Sequence, residues 1–190
     1  YLGEENRTNI WLYTSDLSSY FPDVPQNIVE KMIKFEGHRH RIEVTGGFPA
    51  NNSPFNMEIM NTYKGYLDGS AFIPGNGYHG PGQMTGEKFF PIGMYGSKVM
   101  GDNKDKVQEQ ANHWVNWFSN NAKDAVYFWY IIDEPGPSSY SWINERAGWI
   151  KSNPGPGKHL PVFTTSRYRD GLKESIDYWA AHNGTELDRL

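Results

Sequence analysis

Residues 125 to 135 of this chain read Ala-Val-Tyr-Phe-Trp-Tyr-Ile-Ile-Asp-Glu-Pro, an apolar and aromatic run that ends on two adjacent carboxylates. A run without polar alternation is typical of a strand buried on both faces, which occurs mainly in α/β proteins. Pro135 ends the strand because it has no N–H to donate and favours an extended residue before it. The stretch therefore predicts a buried parallel strand with Asp133 and Glu134 at its carboxyl end, where α/β proteins place their sites.

The acidic pair at the end of this strand has two explanations. One carboxylate could cap the helix that the following serines predict, and a cap needs only one acceptor. Two adjacent carboxylates raise each other's cost of ionisation, which is how active sites keep one acid protonated near neutral pH. The second carboxylate therefore favours a catalytic pair. Because adjacent strand residues point to opposite faces, Asp133 and Glu134 reach one site only if the backbone bends or bulges there.

Composition excludes several classes of function. The net charge is −4 with no basic run, which disfavours nucleic acid as a partner. No apolar stretch approaches the roughly 18 residues of a membrane span. Cysteine is absent, which removes disulfides and thiolate chemistry, and neither a phosphate-binding glycine loop nor a G-x-S-x-G motif occurs. We expect no cofactor and no metal site, since His38 and His40 lack further ligands nearby and fit a solvated turn.

The chain alternates strand and helix patterns, which predicts parallel strands joined by right-handed crossovers. The 190 residues suffice for one domain but fall short of the roughly 250 of a complete (β/α)₈ barrel. Besides the central strand, we predict strands over 9–14, 41–44, 160–165 and 176–179. We predict helices over about 25–37, 106–121 and 139–152 and a short one over 169–175. The first of these helices carries an apolar stripe formed by Ile28, Met32 and Phe35, with Val29 and Ile33, and Gly37 is predicted to end it.

Residues 48–105 break this alternation, because glycine, proline and scattered aromatic residues leave only one short periodic piece, around 56–66. A segment of this length after the second strand predicts an inserted loop or lid, or an inserted subdomain. Its rings and flexible backbone, with Tyr78 among them, are typical of a surface that contacts sugars. Equally, the rings may only pack the loop on itself.

Several of these segments resemble a known family. The strand ending in Asp133-Glu134-Pro135, a Thr164-Thr165 strand and the Ile176-Asp177-Tyr178-Trp179 strand are similar to the catalytic barrel of glycoside hydrolase family 123. The chain also resembles the related bacterial barrels that are grouped with this family. The resemblance spans most of residues 9–182 and implies an α/β fold of the (β/α)₈ TIM-barrel type. The strands seen here would then be about the second to the sixth of eight, so this chain would be part of a barrel.

The resemblance implies a retaining N-acetyl-hexosaminidase that has no enzyme nucleophile. In that family the 2-acetamido oxygen of the substrate attacks the anomeric carbon. Carried over, Asp133 would orient and stabilise the acetamido group, and Glu134 would be the general acid and base. Such chemistry needs a carboxylate beside the oxazolinium ion and a proton donor at the leaving oxygen.

Five further residues are candidates for substrate binding. Trp179 is a candidate stacking platform, Asp177 and Asp16 either bind sugar hydroxyls or cap turns, Tyr168 is a candidate for the acetamido carbonyl, and Tyr78 belongs to the ring-rich segment. The expected partners are a glycan and the remainder of the same barrel, and a glycan substrate favours an extracellular or periplasmic location. The alternative is a non-catalytic carbohydrate-binding or structural domain of a larger surface protein, built on a degenerate barrel.

Overall fold

The structure is a computed structural model that describes residues 8–11, 20–45, 48–95 and 98–180, with the backbone alone described for 8–11. Strands and helices alternate along most of these ranges. In chain order the elements are β1 (Thr8–Trp11), α1 (Gln26–Arg39), β2 (Ile42–Thr45), α2 (Met57–Asp68), β3 (Phe89–Ile92), α3 (Lys104–Asn121), β4 (Val126–Ile132), α4 (Tyr140–Lys151), β5 (Val162–Thr164) and β6 (Tyr178–Trp179).

The described strands form two sheets. β1 pairs with β2 in parallel, and a four-stranded sheet has the order β3-β4-β5-β6. The β4–β5 and β5–β6 pairs are also parallel, which confirms the predicted strand direction and the mixed α/β class. No barrel is shown, because the described strands lie in two separate sheets. Sequence reasoning missed β3 because Pro91 interrupts its apolar run, and proline is tolerated mainly in edge strands.

The chain divides into two compact units. One comprises Tyr1–Asn51, Asn56–Phe90 and Asn121–Val126, and the other comprises Asn52–Phe55, Pro91–Asn120 and Tyr127–Leu190. The candidate catalytic pair belongs to the second unit.

In the first unit, α1 packs on β2 through a glycine. A methyl group at Gly37 would lie only 2.5 Å from a methyl carbon of Val44, so glycine allows the helix to approach the strand closely. The prediction that Gly37 ends the helix is therefore wrong, since α1 continues to Arg39. The predicted apolar stripe is also wrong in part. Val29 and Phe35 are buried, but Ile28 and Met32 are exposed. Lys34 and His38 are buried as well.

Lys34 is buried because its ammonium group finds a complete set of partners. Its Nζ lies 2.7 and 2.9 Å from the two carboxylate oxygens of Glu87 and donates to the carbonyl oxygen of Val44 at 2.6 Å and to the Tyr63 hydroxyl. The rings of Phe48 and Tyr63 lie over the ammonium at 4.6 and 4.7 Å. A buried charge is tolerated only when it is paired and hydrogen-bonded, and this cluster meets that condition.

The segment predicted as an inserted loop contains regular structure. Asn56 caps α2 by accepting from the backbone N–H groups of Glu58 and Ile59, and Gly69 ends α2 with a φ of +86°. The rings of Phe72 and Tyr78 are fully buried and pack with Phe35. α2, β3 and the start of α3 lie within residues 48–105, and α2 coincides with the short periodic piece around 56–66.

His38 extends this ring cluster. Its imidazole stacks on Phe72 at 3.6 Å, its Nδ1 lies 2.7 Å from the Tyr78 hydroxyl oxygen, and its Nε2 lies 2.9 Å from the carbonyl oxygen of Thr85. The prediction of a solvated turn at this position is wrong for His38, because polar partners inside the unit satisfy both ring nitrogens.

The helices of the second unit follow their sequence pattern. α3 buries the five residues of its predicted stripe together with Trp117: Val107, Ala111, Trp114, Val115, Trp117 and Phe118. α4 buries the predicted Ile143, Ala147 and Ile150. The short helix predicted over 169–175 is a single 3₁₀ turn, Asp170–Leu172. Both long helices therefore confirm their predicted apolar faces.

Candidate functional site

The end of β4 has an irregular backbone that gives the acidic pair its geometry. Trp129, Tyr130 and Ile132 pair with Val162, Phe163 and Thr164, so Ile131 is the extra residue of a bulge. Three residues after Ile131, Glu134 has a φ of +39°, in the left-handed region that non-glycine residues rarely adopt. A flat strand would point the two acids to opposite faces. The two acids can face one site only if the backbone departs from a flat strand, and the bulge and the positive φ are such a departure.

Asp133 is held by two hydroxyl groups. Its Oδ1 accepts a hydrogen bond of 2.5 Å from the Tyr130 hydroxyl and another from the Thr165 hydroxyl. Thr165 follows β5, so neighbouring parallel strands contribute to the same group at their carboxyl ends. Thr165 also accepts from the backbone N–H of Glu134 at 2.9 Å. The Thr165 side chain thus ties the acidic pair to the end of β5.

Two hydroxyl donors converge on one oxygen of Asp133. Each hydroxyl has one proton to donate, and an ionised carboxylate is a pure acceptor that takes both. Burial raises the pKa of Tyr130, and its hydrogen bond to Asp133 raises it further. Tyr130 therefore stays a neutral donor at any physiological pH. Both bonds go to Oδ1, and among the residues that the structure describes none donates to Oδ2 of Asp133.

Glu134 differs from its neighbour in exposure. Glu134 is exposed, whereas Asp133 is half-buried and Pro135 is buried. Glu134 borders an open cleft of about 350 Å³ whose other lining residues are Pro135, Thr165, Ser166, Arg167 and Arg169. We call this the Glu134 cleft. One carboxylate that is open to solvent therefore lies beside one that is fixed by hydroxyl groups.

Trp179 and Tyr168 lie together in the second unit. Their ring centroids are 5.5 Å apart at an interplanar angle of 49°. Trp179 ends β6, and the backbone N–H of Ala180 donates to the carbonyl oxygen of Thr164 at 3.1 Å, so this pair lies near the carboxyl end of β5. Tyr168 is 42% exposed and Trp179 is half-buried. Neither is among the described lining residues of the Glu134 cleft.

Three other predicted binding residues do not join this group. Asp177 accepts from the backbone N–H of Val162 at 2.8 Å, which places it at the amino end of β5, opposite Thr165. There its carboxylate accepts from the backbone at the start of β5. The prediction for Tyr78 is wrong: the side chain is fully buried in the first unit and donates to the carbonyl oxygen of Pro81. Asp16 lies outside the described residues.

Sequence reasoning missed four residues around the pair. Tyr130 lies inside the apolar run, three positions before Asp133, and ordinary strand periodicity does not bring such residues together. The sequence pattern indicates Thr165 only as the end of the predicted strand 160–165. Arg167 and Arg169 follow that strand. Their only signal in the sequence is a pair of cations, separated by one residue, just after a strand end.

Within the described ranges, no group of three histidine or acidic side chains is placed to hold a metal ion. None of the helices there is long and apolar enough to cross a membrane. In comparisons with family models, curated proteins and solved structures, nothing matches this chain. Its function is therefore argued from the site alone.

Proposed function

We propose that this protein is a glycoside hydrolase, and specifically a retaining N-acetyl-hexosaminidase in which the 2-acetamido group of the substrate is the nucleophile. The observation that carries the proposal is the contrast between the two acids. Asp133 is held by hydrogen bonds from Tyr130 and Thr165, and the adjacent Glu134 is exposed at the cleft. Glycoside hydrolysis commonly divides its work between two carboxyl groups in different environments.

In the proposed reaction, Glu134 donates its proton to the glycosidic oxygen while the acetamido oxygen attacks the anomeric carbon. The bond between that carbon and the leaving oxygen breaks, and a bicyclic oxazolinium ion forms. The resulting Glu134 carboxylate then takes a proton from water, which attacks the anomeric carbon and reopens the ring. Two inversions at one carbon retain its configuration.

Asp133 would stabilise the positive charge of the oxazolinium ion. Its Oδ1 is occupied by the two hydroxyl groups, and Oδ2 is the oxygen through which it would accept the acetamido N–H. Because Tyr130 and Thr165 hold the carboxylate before substrate arrives, little reorganisation would be needed during the reaction.

We also propose that the strands belong to a (β/α)₈ barrel completed by the remainder of the protein. Support comes from the parallel pairing and from the order β3-β4-β5-β6, in which neighbours in the sheet follow one another in the chain. Sequential parallel neighbours are what a barrel requires.

The proposal is tested with aryl β-N-acetylgalactosaminide and aryl β-N-acetylglucosaminide as substrates. We expect turnover by the protein, loss of turnover in Glu134→Gln, and inhibition by a thiazoline that mimics the oxazolinium ion. Glu145→Gln, an exposed acid on α4, is the matched control and should keep full activity. Turnover that persists in Glu134→Gln, or that the thiazoline does not affect, would contradict substrate-assisted catalysis by this pair.

A non-catalytic carbohydrate-binding domain is the second candidate. The observation that favours it is that hydroxyl groups of the protein already occupy Oδ1 of Asp133, which is the arrangement of a structural acid. On this alternative Glu134→Gln weakens glycan binding, and no substrate is turned over by either form.

A further inference from the structure

The first unit contains an open pocket of about 290 Å³ that combines acidic and aromatic side chains. Its lining includes the carboxylates of Glu30 and Glu58 and the rings of Phe48, Tyr63 and Tyr66. Among the lining residues that the structure describes there is no lysine, arginine or histidine, and all of them belong to the first unit. We call this the Tyr66 pocket.

The two acids of the Tyr66 pocket have no cationic partner. The Glu58 carboxylate forms no hydrogen bond or ion pair with any described residue. The Glu30 carboxylate accepts one hydrogen bond, from the side-chain amide of Gln26 at 3.2 Å. Burial raises the pKa of Glu30, which shows that its charged form is partly desolvated. A cation that entered the pocket would replace part of this lost hydration.

The charge of Lys34 acts on Glu30 but is already compensated elsewhere. Its ammonium group is fully buried and lies 2.7 and 2.9 Å from the two carboxylate oxygens of Glu87. The buried Glu43 carboxylate adds a second negative charge near Lys34. The described charges around the Tyr66 pocket therefore have a negative excess, which attracts a cation.

The aromatic lining favours an organic cation over a metal ion. Nζ of Lys34 lies 4.6 Å from the ring centroid of Phe48 and 5.6 Å from that of Tyr66, so these rings already accommodate one ammonium group inside the unit. The Tyr66 ring is half-buried, and its hydroxyl makes no hydrogen bond within the described part of the chain. Aromatic rings attract an organic cation and also contact its carbon atoms, whereas a metal ion such as Ca²⁺ needs several oxygen ligands.

We propose that the Tyr66 pocket binds a small organic cation, an alkylammonium compound whose charged nitrogen pairs with Glu30 and Glu58 and whose carbon atoms contact the rings of Phe48 and Tyr66. The volume of about 290 Å³ is at the lower end of the range of small-molecule pockets, so a compact amine fits it. The inference does not depend on the proposed hydrolase, because none of these residues lines the Glu134 cleft.

The test compares three probes of equal chain length, n-butylammonium, 1-butanol and butyrate, by NMR titration of the whole chain. We expect n-butylammonium to bind most tightly and to shift the ring signals of Tyr66. Glu30→Gln and Glu58→Gln should each weaken the ammonium probe by roughly 3- to 10-fold, between the effects of an exposed ion pair and of a charged hydrogen bond. Both variants should leave the affinity for 1-butanol unchanged.

Glu36→Gln is the matched control, because it removes the same charge from an exposed residue of α1 that does not line the pocket. It should leave the affinity for all three probes unchanged. A fourth probe, butyltrimethylammonium, cannot donate a hydrogen bond, so its binding depends on its charge and on the rings alone. We expect it to bind, and we expect Tyr66→Leu to weaken it more than 1-butanol.

Three results would overturn the inference. Equal affinity for n-butylammonium and 1-butanol would mean that the pocket binds only the carbon chain. An equal loss of cation binding in Glu36→Gln and Glu30→Gln would mean that the whole protein, with its net charge of −4, attracts cations. Unchanged cation binding in Glu58→Gln would be decisive even if Glu30→Gln disturbed the fold, because Glu58 is exposed and its replacement leaves the core intact.

Discussion

Replacing Lys34 by methionine would remove the positive charge from a buried cluster and leave the Glu87 carboxylate without its cation. Lys34 is 1% and Glu87 2% exposed, so water cannot replace the lost partner. The Tyr63 hydroxyl, which donates to Glu87 at 3.2 Å, would remain. Breaking a buried pair on one side typically costs about 3–5 kcal/mol. We expect Lys34→Met to lower the free energy of unfolding by that amount, a large part of the about 5–15 kcal/mol of a typical domain.

The double variant Lys34→Met/Glu87→Gln tests the cause. With both charges gone, the remaining loss comes from the unpaired carbonyl oxygen of Val44 and from weakened neutral hydrogen bonds, about 1–3 kcal/mol. The double variant should therefore be more stable than Lys34→Met alone. The measurement is urea denaturation followed by circular dichroism, with an unchanged slope confirming the same unfolding transition.

Lys31→Met on the same helix is the control, because Lys31 is only half-buried and its Nζ lies over Phe35 at 5.1 Å. Its loss should be about 1 kcal/mol or less. The single variant Glu87→Gln completes the comparison. If the decreases in unfolding free energy of Lys34→Met and Glu87→Gln simply add in the double variant, the two charges are not coupled and the reasoning fails.

Three further predictions concern Tyr66, Gly148 and Gly86. Burial, with the charges of Glu87 and Glu30 adding to it, raises the pKa of Tyr66 from 10.0 to about 12. Tyr66 therefore contributes stability that is present below pH 10 and is lost as the pH rises towards 12. In an absorbance titration of tyrosinate, Tyr66→Phe should reduce the amplitude of the phase that titrates at high pH. An unchanged amplitude would contradict this. Gly148→Ala on α4, where an added methyl meets open space, should stabilise the protein by about 0.5–1 kcal/mol. Gly86→Ala should destabilise it by about 1–3 kcal/mol, because the methyl would overlap the Leu67 carbonyl oxygen; thermal shifts of the same sign in both variants would refute this.

Helices with a simple apolar face were predictable from sequence, and helices with buried polar groups were not. The faces of α3 and α4 follow a 3.6-residue repeat of apolar side chains, which needs no knowledge of their neighbours. On α1 the same rule chose Val29 and Phe35, which are buried, but also Ile28 and Met32, which are exposed. The structure also buries Lys34 and His38, because Glu87, Tyr78 and Thr85 supply their partners from 40 or more positions away.

The acidic pair shows the same division. The apolar run of residues 125 to 132 is enough to predict a buried parallel strand with Asp133 and Glu134 at its end, because strand burial and the effect of Pro135 are local. Their neighbours Thr165, Arg167 and Arg169 come from the end of the next strand in the sheet, and sequence alone does not reveal that two strand ends adjoin.

The sequence by itself determined the α/β class, the parallel strands, the apolar faces of α3 and α4 and the position of the acidic pair, since each depends on side-chain periodicity or local backbone chemistry. Only the tertiary structure decided that Tyr130 and Thr165 hold Asp133, that Arg169 shares a cleft with Glu134, that Tyr78 is core, and that Asp177 lies at the opposite strand end. These facts depend on the β4 bulge, on strand register and on contacts between distant residues. Such features arise when backbone elements pack together, and no local pattern records them.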